Sequence, residues 1–183
     1  MKVICISGKA QHGKDTTALF LQANLAAAGN KVLIAHYGDQ VKHICRDYFG
    51  WDGVKDAAGR SLLQYVGTDV IRRQSEDFWV DKVLEVLRFF PNEWDYVLIP
   101  DCRFPNEVER VHEFVTEYGF DSCHVRVIRH NFDSPLTPEQ QAHPSETALD
   151  EYDPDQYILN DGTLGDLMTT VAKLAQDLID GKI

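Results

Sequence analysis

Residues 3–17 read VICISGKAQHGKDTT. Four apolar residues, Val3 to Ile6, form a short strand-like run, and a glycine-containing turn follows almost directly. The turn has the spacing G-x-x-x-x-G-K from Gly8 to Lys14, and a helical pattern begins after it. Backbone N–H groups in such a turn and the positive end of the helix bind phosphate, and the lysine adds a point charge. The stretch predicts a phosphate-binding loop, with a plain glycine turn between strand and helix as the weaker alternative.

The loop departs from the usual motif at one position. Asp15 follows Lys14, where Ser or Thr commonly ligates magnesium. A carboxylate here can hold magnesium directly or through water, can face a second substrate, or can stabilise the first helical turn, and the sequence leaves these roles open. Magnesium is expected, with Asp15 and Thr16 as candidate ligands, because phosphoryl transfer from ATP needs its charge neutralised. The expected ATP contacts in the loop are Gly8, Gln11, His12, Gly13, Lys14, Asp15 and Thr16.

Short apolar runs alternate with helical patterns along the rest of the chain. Strands buried on both faces of a sheet have this composition, and helical crossovers then make them parallel. Clear helices run from Thr16 to Ala28, from Pro105 to the stop at Gly119, and after the candidate N-cap Thr163. The pattern predicts an α/β sandwich with a parallel sheet of about five strands. The expected strands are Val3–Ile6, Val32–Ala35, Tyr96–Ile99, Val125–Ile128 and Tyr157–Leu159.

Charge and cysteine usage narrow the class of protein. The chain has 183 residues, a formal net charge of −11 and an isoelectric point near 4.9, which argues against a nucleic-acid-binding surface. The four cysteines, Cys5, Cys45, Cys102 and Cys123, lack metal-ligand spacing. Cys5 and Cys102 lie at the inner ends of expected strands and are expected to be buried, and we expect a reducing compartment. No apolar stretch suits a signal peptide or a membrane span, so we expect a cytoplasmic protein with no membrane partner.

Two long segments interrupt the alternation of strands and helices. Residues 40–94, here called the insert, carry several helical patterns between the second and third expected strands. Residues 131–156, here called the lid segment, are rich in Pro, Asp, Glu and Gln and lack a strong period. Long excursions of this kind in a compact domain are usually functional loops or lids. We therefore expect a single domain, residues 1–183, in which the insert binds the second substrate and the lid segment closes over the site.

The third expected strand ends in charged residues. Asp101 follows Tyr96–Ile99 and Pro100, and Arg103 comes two residues later. Ligands of open α/β sheets bind beyond the carboxyl ends of the strands. Asp101 is placed there to hold magnesium through water or to orient the second substrate, and Arg103 to fork onto a phosphate. The alternative is an ion pair between Asp101 and Arg103 with no role in binding.

Three stretches together resemble the phage-type deoxynucleoside monophosphate kinases. They are GKAQHGKDT at residues 8–16, LQYVGTDVIR at residues 63–72 and PDCRFPNE at residues 100–107. The resemblance extends over nearly the whole chain and implies a P-loop kinase three-layer sandwich, with a helical acceptor-binding insert and a lid. It also implies ATP and a deoxynucleoside monophosphate as substrates. The oligomeric state is left open, with a homodimer as one option.

The resemblance assigns roles to residues outside the loop. It implies that Arg72 grips the acceptor phosphate and that Arg129, where the chain enters the lid segment, stabilises the transferred phosphoryl group. Asn160 and Asp161 match positions near the adenine of ATP. With Lys14, the catalytic set becomes Lys14, Arg72, Asp101 and Arg129. The implied acceptor contacts are Lys42, Thr68, Arg72, Asp101, Arg103 and Glu146.

Other functions remain compatible with these motifs. The same loop and architecture serve kinases of other phosphorylated small molecules, such as phosphomevalonate or dephospho-CoA. A phosphorylated isoprenoid precursor needs no pocket for a nucleobase, so contacts suited to a base between Lys42 and Arg72 would distinguish these acceptors. A nucleotide-dependent regulatory protein is a second alternative, although no NKxD-type guanine motif is present. A nucleotide-binding module without turnover is a third, because of Asp15.

Overall fold

The computed structural model describes residues 1–130 and 132–183 and has a five-stranded parallel sheet at its centre. The strand order is β2-β3-β1-β4-β5, so β1 lies in the middle. The expected α/β class and the five parallel strands are confirmed. The strands are β1 Lys2–Ser7, β2 Val32–Ile34, β3 Tyr96–Ile99, β4 Asp121–Ile128 and β5 Gln156–Leu159. The turn after β1 therefore emerges at the centre of the sheet's carboxyl edge, beside the end of β3.

Eight α-helices and one π-helical segment occur in the described residues. The α-helices are α1 Lys14–Ala27, α2 Gly38–Phe49, α3 Ala57–Gln64, α4 Phe78–Phe89, α5 Pro105–Tyr118, α6 Pro138–Gln141, α7 Pro144–Thr147 and α8 Leu164–Ile179. The π-helical segment, Tyr65–Arg72, directly continues α3. Such wider turns occur often at functional sites, and this one carries Thr68 and Arg72. Asn131, the first residue of the expected lid, lies outside the described residues.

Helices cover both faces of the sheet, because successive side chains of each strand point to opposite sides. On β1, Val3 and Cys5 belong to a core cluster with α2, α4 and α5. Ile4 and Ile6 belong to a second cluster with α1 and α8. All four are at most 1% exposed, and full burial of such a side chain stabilises the fold by about 1.5–3 kcal/mol. This arrangement confirms the three-layer sandwich.

The helix ends follow the chain's own signals. Thr163 caps α8, accepting from the N–H of Asp166, whose carboxylate accepts from the N–H of Thr163. Gly119 ends α5 in the left-handed region with φ 69°. The helix α1 begins at Lys14, two residues before the expected Thr16, because the end of the loop already forms its first turn. These caps fix where each helix meets the sheet.

The expected start of β4 at Val125 is wrong, since the strand begins at Asp121. Asp121, Ser122 and His124 interrupt the apolar pattern that predicts a buried strand. In the structure, His124 is 3% exposed and its Nε2 lies 2.7 Å from Ser7 Oγ on β1. Cys5 and Cys102 are buried, as expected; Cys45 and Cys123 are buried as well, and all four are free cysteines. Within the described residues, no helix has both the length and the apolar character to cross a membrane.

Candidate active site

The loop between β1 and α1 has a backbone that only glycine accepts at two positions. Gly8 has φ 141° and Gly13 has φ 102°, both unfavourable for residues with a Cβ. A Cβ on Gly8 would lie 2.4 Å from the carbonyl oxygen of Val127. A Cβ on Gly13 would lie 2.6 Å from Asn160 Nδ2. The loop is thus packed tightly against the ends of β4 and β5, with α1 beginning directly after it.

Lys14 lies inside the loop. Its ammonium group donates to the carbonyl oxygens of Gly8 and Lys9 at 2.6 and 2.8 Å. The side chain is 8% exposed. Burial, followed by the positive charge of Arg103, lowers the pKa of Lys14 to about 8. A buried cation held by backbone carbonyls is ready to exchange those contacts for phosphate oxygens.

The far side of the loop is supported by residues that follow β4 and β5. Asn160 donates from Nδ2 to the carbonyl of His12 at 2.9 Å. The N–H of Arg129 donates to His12 Nδ1 at 3.2 Å, and the Arg129 guanidinium lies 4.6 Å from the ring centre of Phe132. Asp161 pairs with His130 at 2.8 Å. These contacts hold the loop and gather the residues predicted to lie near adenine.

A cavity of about 630 Å³ opens between the loop, the insert, the end of β3 and the lid segment. Nine predicted residues line it: Gln11, Lys14, Asp15, Lys42, Thr68, Arg72, Asp101, Arg103 and Glu146. The other predicted residues lie outside this lining: Gly8, His12, Gly13, Thr16, Arg129, Asn160 and Asp161. The cavity therefore brings together every predicted acceptor residue, whereas Arg129 lies with the adenine-side group.

The residues after β3 organise the cavity through separate partners. Asp101 accepts from the N–H groups of Tyr37 and Gly38 at 3.0 and 2.7 Å, which joins the end of β3 to the start of α2. Arg103 donates to the carboxylate of Glu146 and to the carbonyl of Ser145. The alternative of an Asp101–Arg103 ion pair is therefore wrong. Both side chains instead connect β3 to neighbouring elements around the cavity.

Arg72 is buried, with 7% of its side chain exposed. One nitrogen donates to Glu107 at 3.0 Å, another donates to Asn106, and the guanidinium lies 3.6 Å from the ring centre of Phe104. Glu107 also accepts from the N–H of Arg103 at 2.7 Å. Burial raises the pKa of Glu107 to about 7, against the lowering effect of Arg72. Arg72 is thus held at the cavity wall by a carboxylate, an amide and an aromatic ring.

The lid segment touches both the loop and the insert. Glu146 accepts from the N–H of Ala10 at 2.8 Å, a donor that a phosphate oxygen would also use. Lys9 pairs with Asp150 at 3.0 Å. Gln140, which is 6% exposed, donates to the carbonyl of Ala57 at 3.2 Å. The lid segment is therefore closed over the cavity by polar contacts with two separate walls.

Asp15 points into solvent at the mouth of the cavity, with 79% of its side chain exposed. Its carboxylate lies 3.6 Å from Nε2 of His36. The nearby Asp15 carboxylate raises the pKa of His36, and the same contact lowers the pKa of Asp15. No cluster of three His, Cys, Asp or Glu side chains suited to a metal occurs in the described residues. Magnesium bound to phosphates needs only one or two protein oxygens, and the exposed Asp15 carboxylate in the cavity lining is a donor of that kind, whereas Thr16 lies outside the lining.

Sequence reasoning missed several lining residues: His36, Lys55, Arg60, Gln64, Glu107 and Ser145. Glu107 stands within the PDCRFPNE stretch, which assigned it no role. Lys55 and Arg60 lie in the insert, where isolated cations on helical patterns are usually exposed.

Comparison of the sequence with known proteins identifies a family. Residues 40–171 match the model of the deoxynucleotide monophosphate kinase family. The chain is 27% identical over 117 residues to the deoxynucleotide monophosphate kinase of Escherichia phage RB69, covering 63% of this chain and 43% of that protein. It is 35% identical over 106 residues to the uncharacterized protein ORF77 of Ictalurid herpesvirus 1 (strain Auburn), covering 57% and 42%. The chain spans about two fifths of the length of these curated relatives.

Solved structures share the fold at low identity. The APS kinase CysC of Mycobacterium tuberculosis (Cys556Ala mutant) superimposes with a TM-score of 0.55 at 15% identity, covering 96% of both chains. The tunicamycin resistance protein of Deinococcus radiodurans gives 0.53 at 13% identity, covering 94% of both. These likenesses support the architecture alone. The family follows from the match over residues 40–171, which extends from the insert into α8: this chain belongs to the deoxynucleotide monophosphate kinase family.

Proposed function

We propose that this protein transfers the γ-phosphate of ATP to a deoxynucleoside monophosphate and so forms the diphosphate. The observation that carries the proposal is the single cavity that joins the phosphate-binding loop to the insert, with Lys14 and Arg72 both in its lining. Two phosphorylated substrates that react with each other need such a shared chamber, because transfer requires the attacking and leaving oxygens in line. The family membership supports the same reaction class.

The donor binds through the loop. The N–H groups from Gly8 to Thr16 and the Lys14 ammonium bind the phosphates of ATP, while Asn160 and Asp161 lie on the adenine side. Magnesium, when bound with ATP, neutralises charge on the phosphates, and Asp15 and Thr16 are the oxygen donors that would hold it. Arg129 is proposed to act on the transferred group after rearrangement of the lid segment, because it lies away from the cavity lining.

The acceptor binds between the insert and the end of β3. Arg72, Lys42 and Arg103 attract its phosphate, and Thr68, Asp101 and Glu146 complete the predicted contacts. A phosphate oxygen of the acceptor attacks the γ-phosphorus, the bond to the β-phosphate oxygen breaks, and ADP leaves. A phosphate dianion is already a nucleophile at neutral pH, so positioning and electrostatic stabilisation supply the catalysis. Closure of the lid segment excludes water that would otherwise hydrolyse ATP.

The lining also suits a nucleobase, which favours a nucleotide over an isoprenoid acceptor. Apolar side chains of Val41, Leu63 and Leu136 line the same cavity as the amide of Gln64. Trp79, also in the lining, is 4% exposed and donates to the carbonyl of Gly67 at 2.8 Å, so it shapes the wall as part of the core. An apolar slot with a few polar groups is typical of sites for small planar ligands.

The test is ADP release by the purified protein with ATP and magnesium. The acceptor panel contains dGMP, dTMP, dCMP, dAMP, the matching ribonucleotides, phosphomevalonate, dephospho-CoA and no acceptor. We expect turnover with at least one deoxynucleotide, little with ribonucleotides and none without acceptor. Lys14→Ala should reduce kcat/KM by at least about a hundredfold, whereas Lys173→Ala, on the exposed face of α8, should not. Turnover with a non-nucleotide acceptor alone would contradict the proposal.

A further inference from the structure

The cavity is lined by more Lys and Arg side chains than the four that the sequence predicts to bind phosphate. Six Lys and Arg side chains line it, against four carboxylates. The cations are Lys14, Lys42, Lys55, Arg60, Arg72 and Arg103, and the carboxylates are Asp15, Asp101, Glu107 and Glu146. The chain as a whole has a net charge of −11. A local excess of cations in an acidic protein indicates a site for an anion.

Most of these cations already have partners. Arg72 is engaged by Glu107 and Asn106, and Arg103 is engaged by Glu146. Lys42 pairs with Asp39 at 2.8 Å. Lys14 is held by the loop carbonyls and belongs to the donor side.

Lys55 and Arg60 differ from these four. Among residues 1–130 and 132–183, no carboxylate oxygen lies within 4.0 Å of a side-chain nitrogen of either residue, so neither forms an ion pair. The nearest acidic residues along the chain are engaged by backbone groups: Asp56 caps α3 through the N–H of Gly59 at 2.7 Å, and Asp52 accepts from the N–H of Val54 at 2.9 Å. Lys55, an exposed residue just before α3, and the half-buried Arg60 in its first turn therefore line the cavity without a carboxylate partner.

Lys55 lines the cavity together with Asp15 on the donor side and Arg103 on the acceptor side. Partial burial, and then the positive charge of Lys42, lower the pKa of Lys55, while Asp15 raises it. Arg60 and Arg103 lower it further. Lys55 is thus within the influence of the donor-side Asp15 and of the acceptor-side Arg103 together. Mutual repulsion among these cations is relieved when an anion binds between them.

We propose that Lys55 and Arg60 bind the phosphate of the acceptor and are the main determinants of its affinity. This inference rests on the proposed function. A phosphate monoester carries a charge of about −1.5 to −2 at neutral pH, which two unpartnered cations match. Arg72, fixed by Glu107, Asn106 and Phe104, shapes the wall and contributes a further donor. The insert therefore selects substrates that carry a terminal phosphate.

The variants Lys55→Gln and Arg60→Gln test the proposal by steady-state kinetics. We expect each to raise the KM of the acceptor by at least about tenfold, since a hydrogen bond to a charged group contributes about 1.5–3 kcal/mol. The KM of ATP should change by less than about threefold. Lys55→Arg and Arg60→Lys should restore part of the affinity. The controls Lys173→Gln and Arg73→Gln remove exposed cations that do not line the cavity and should leave both constants within about twofold.

Two results would overturn the proposal: an unchanged acceptor KM, or an increase in the ATP KM as large as that of the acceptor. Circular dichroism and the thermal midpoint identify variants that fail to fold. In that case Lys55→Arg and Arg60→Lys, which keep the charge, are used for the test. Absence of turnover with every acceptor would sink the proposed function without deciding this inference. Inorganic phosphate binding to the protein saturated with magnesium and AMPPNP, followed by phosphorus NMR line broadening, then decides it. Phosphate binding by the wild type that is lost in the Lys55→Gln/Arg60→Gln double variant supports the inference. Equal binding by the two proteins, or no binding by the wild type, contradicts it.

Discussion

At the residue scale, two arginines form ion pairs that differ in burial, and the two pairs should therefore contribute differently to stability. Arg72 and Glu107 are 7% and 4% exposed, and Glu107 has its remaining oxygen bonded to backbone N–H groups. Arg110 also pairs with carboxylates, Asp81 and Glu113, but is 38% exposed. Removing one partner of a buried pair leaves an uncompensated buried charge, whereas exposed pairs contribute little.

We therefore predict that Arg72→Ala lowers the free energy of unfolding by about 3 kcal/mol near pH 8. Arg110→Ala, which also removes an ion pair between α4 and α5, should cost less than about 1 kcal/mol. The folded-state pKa of Glu107 is raised, so its contribution to stability is present below about pH 4.5 and lost as pH rises through about 7. Arg72 is the strongest influence that lowers the pKa of Glu107, so in Arg72→Ala this pKa rises further and the loss continues to higher pH. The deficit of Arg72→Ala should therefore grow from pH 5 to pH 8. Urea unfolding at both pH values measures it, and equal deficits for the two arginines would contradict the argument.

Gly13 offers a second test at the same scale. Its φ of 102° strains any residue with a Cβ, and that Cβ would also clash with Asn160 Nδ2 at 2.6 Å. Gly29 has a similar φ of 89° but open space around it. Both Gly→Ala substitutions should destabilise the protein by about 1–2 kcal/mol through backbone strain. Only Gly13→Ala should also weaken ATP binding, by at least about tenfold, because the loop must shift; equal ATP affinities in a calorimetric titration would argue against this.

At the element scale, a buried amide of the lid segment, that of Gln140, contacts the insert. Gln140 on α6 donates to Ala57 and lies 3.4 Å from Ser61 Oγ, whereas the exposed Gln141 bonds within the lid segment to Leu136. We predict that Gln140→Ala loosens this closure and raises ADP release without acceptor, relative to release with acceptor, by about threefold or more. Gln141→Ala is the matched control and should leave the ratio unchanged. A similar increase in both variants would mean that the contact with α3 does not control closure.

The sheet and the loop were predictable because their signals are local. Val3–Ile6, Gly8 and Lys14 lie within twelve consecutive residues, and their spacing alone implies strand, turn and helix. The convergence of Lys55 and Arg60 on the same cavity was not predictable, because it depends on how the insert folds back over the loop. The same limit applies to His124, a polar residue whose burial depends on Ser7 in a neighbouring strand.

At the scale of the whole molecule, a buried polar pair, Ser7 and His124, lies between the central strand β1 and its neighbour β4. Ser7 Oγ and His124 Nε2 lie 2.7 Å apart between β1 and β4, directly before the phosphate-binding loop. The other ring nitrogen of His124 has no hydrogen-bond partner in the described residues. A neutral imidazole tolerates this environment better than a charged one. Burial accordingly lowers the pKa of His124 to about 4.

This pKa makes the stability of the fold depend on pH in a direction that can be measured. Between about pH 6.5 and 4 the unfolded chain binds a proton at His124 and the folded protein does not, so stability is present above 6.5 and is lost as pH falls. The loss approaches about 2–3 kcal/mol. His124→Asn should be less stable than the wild type at pH 7, and this deficit should shrink by a similar amount at pH 4. Glu107 titrates in both proteins, so its opposing effect cancels in the difference. The exposed His112→Asn should show no such trend in urea unfolding, and a deficit of His124→Asn that stays constant across the range would mean that His124 binds protons equally in both states.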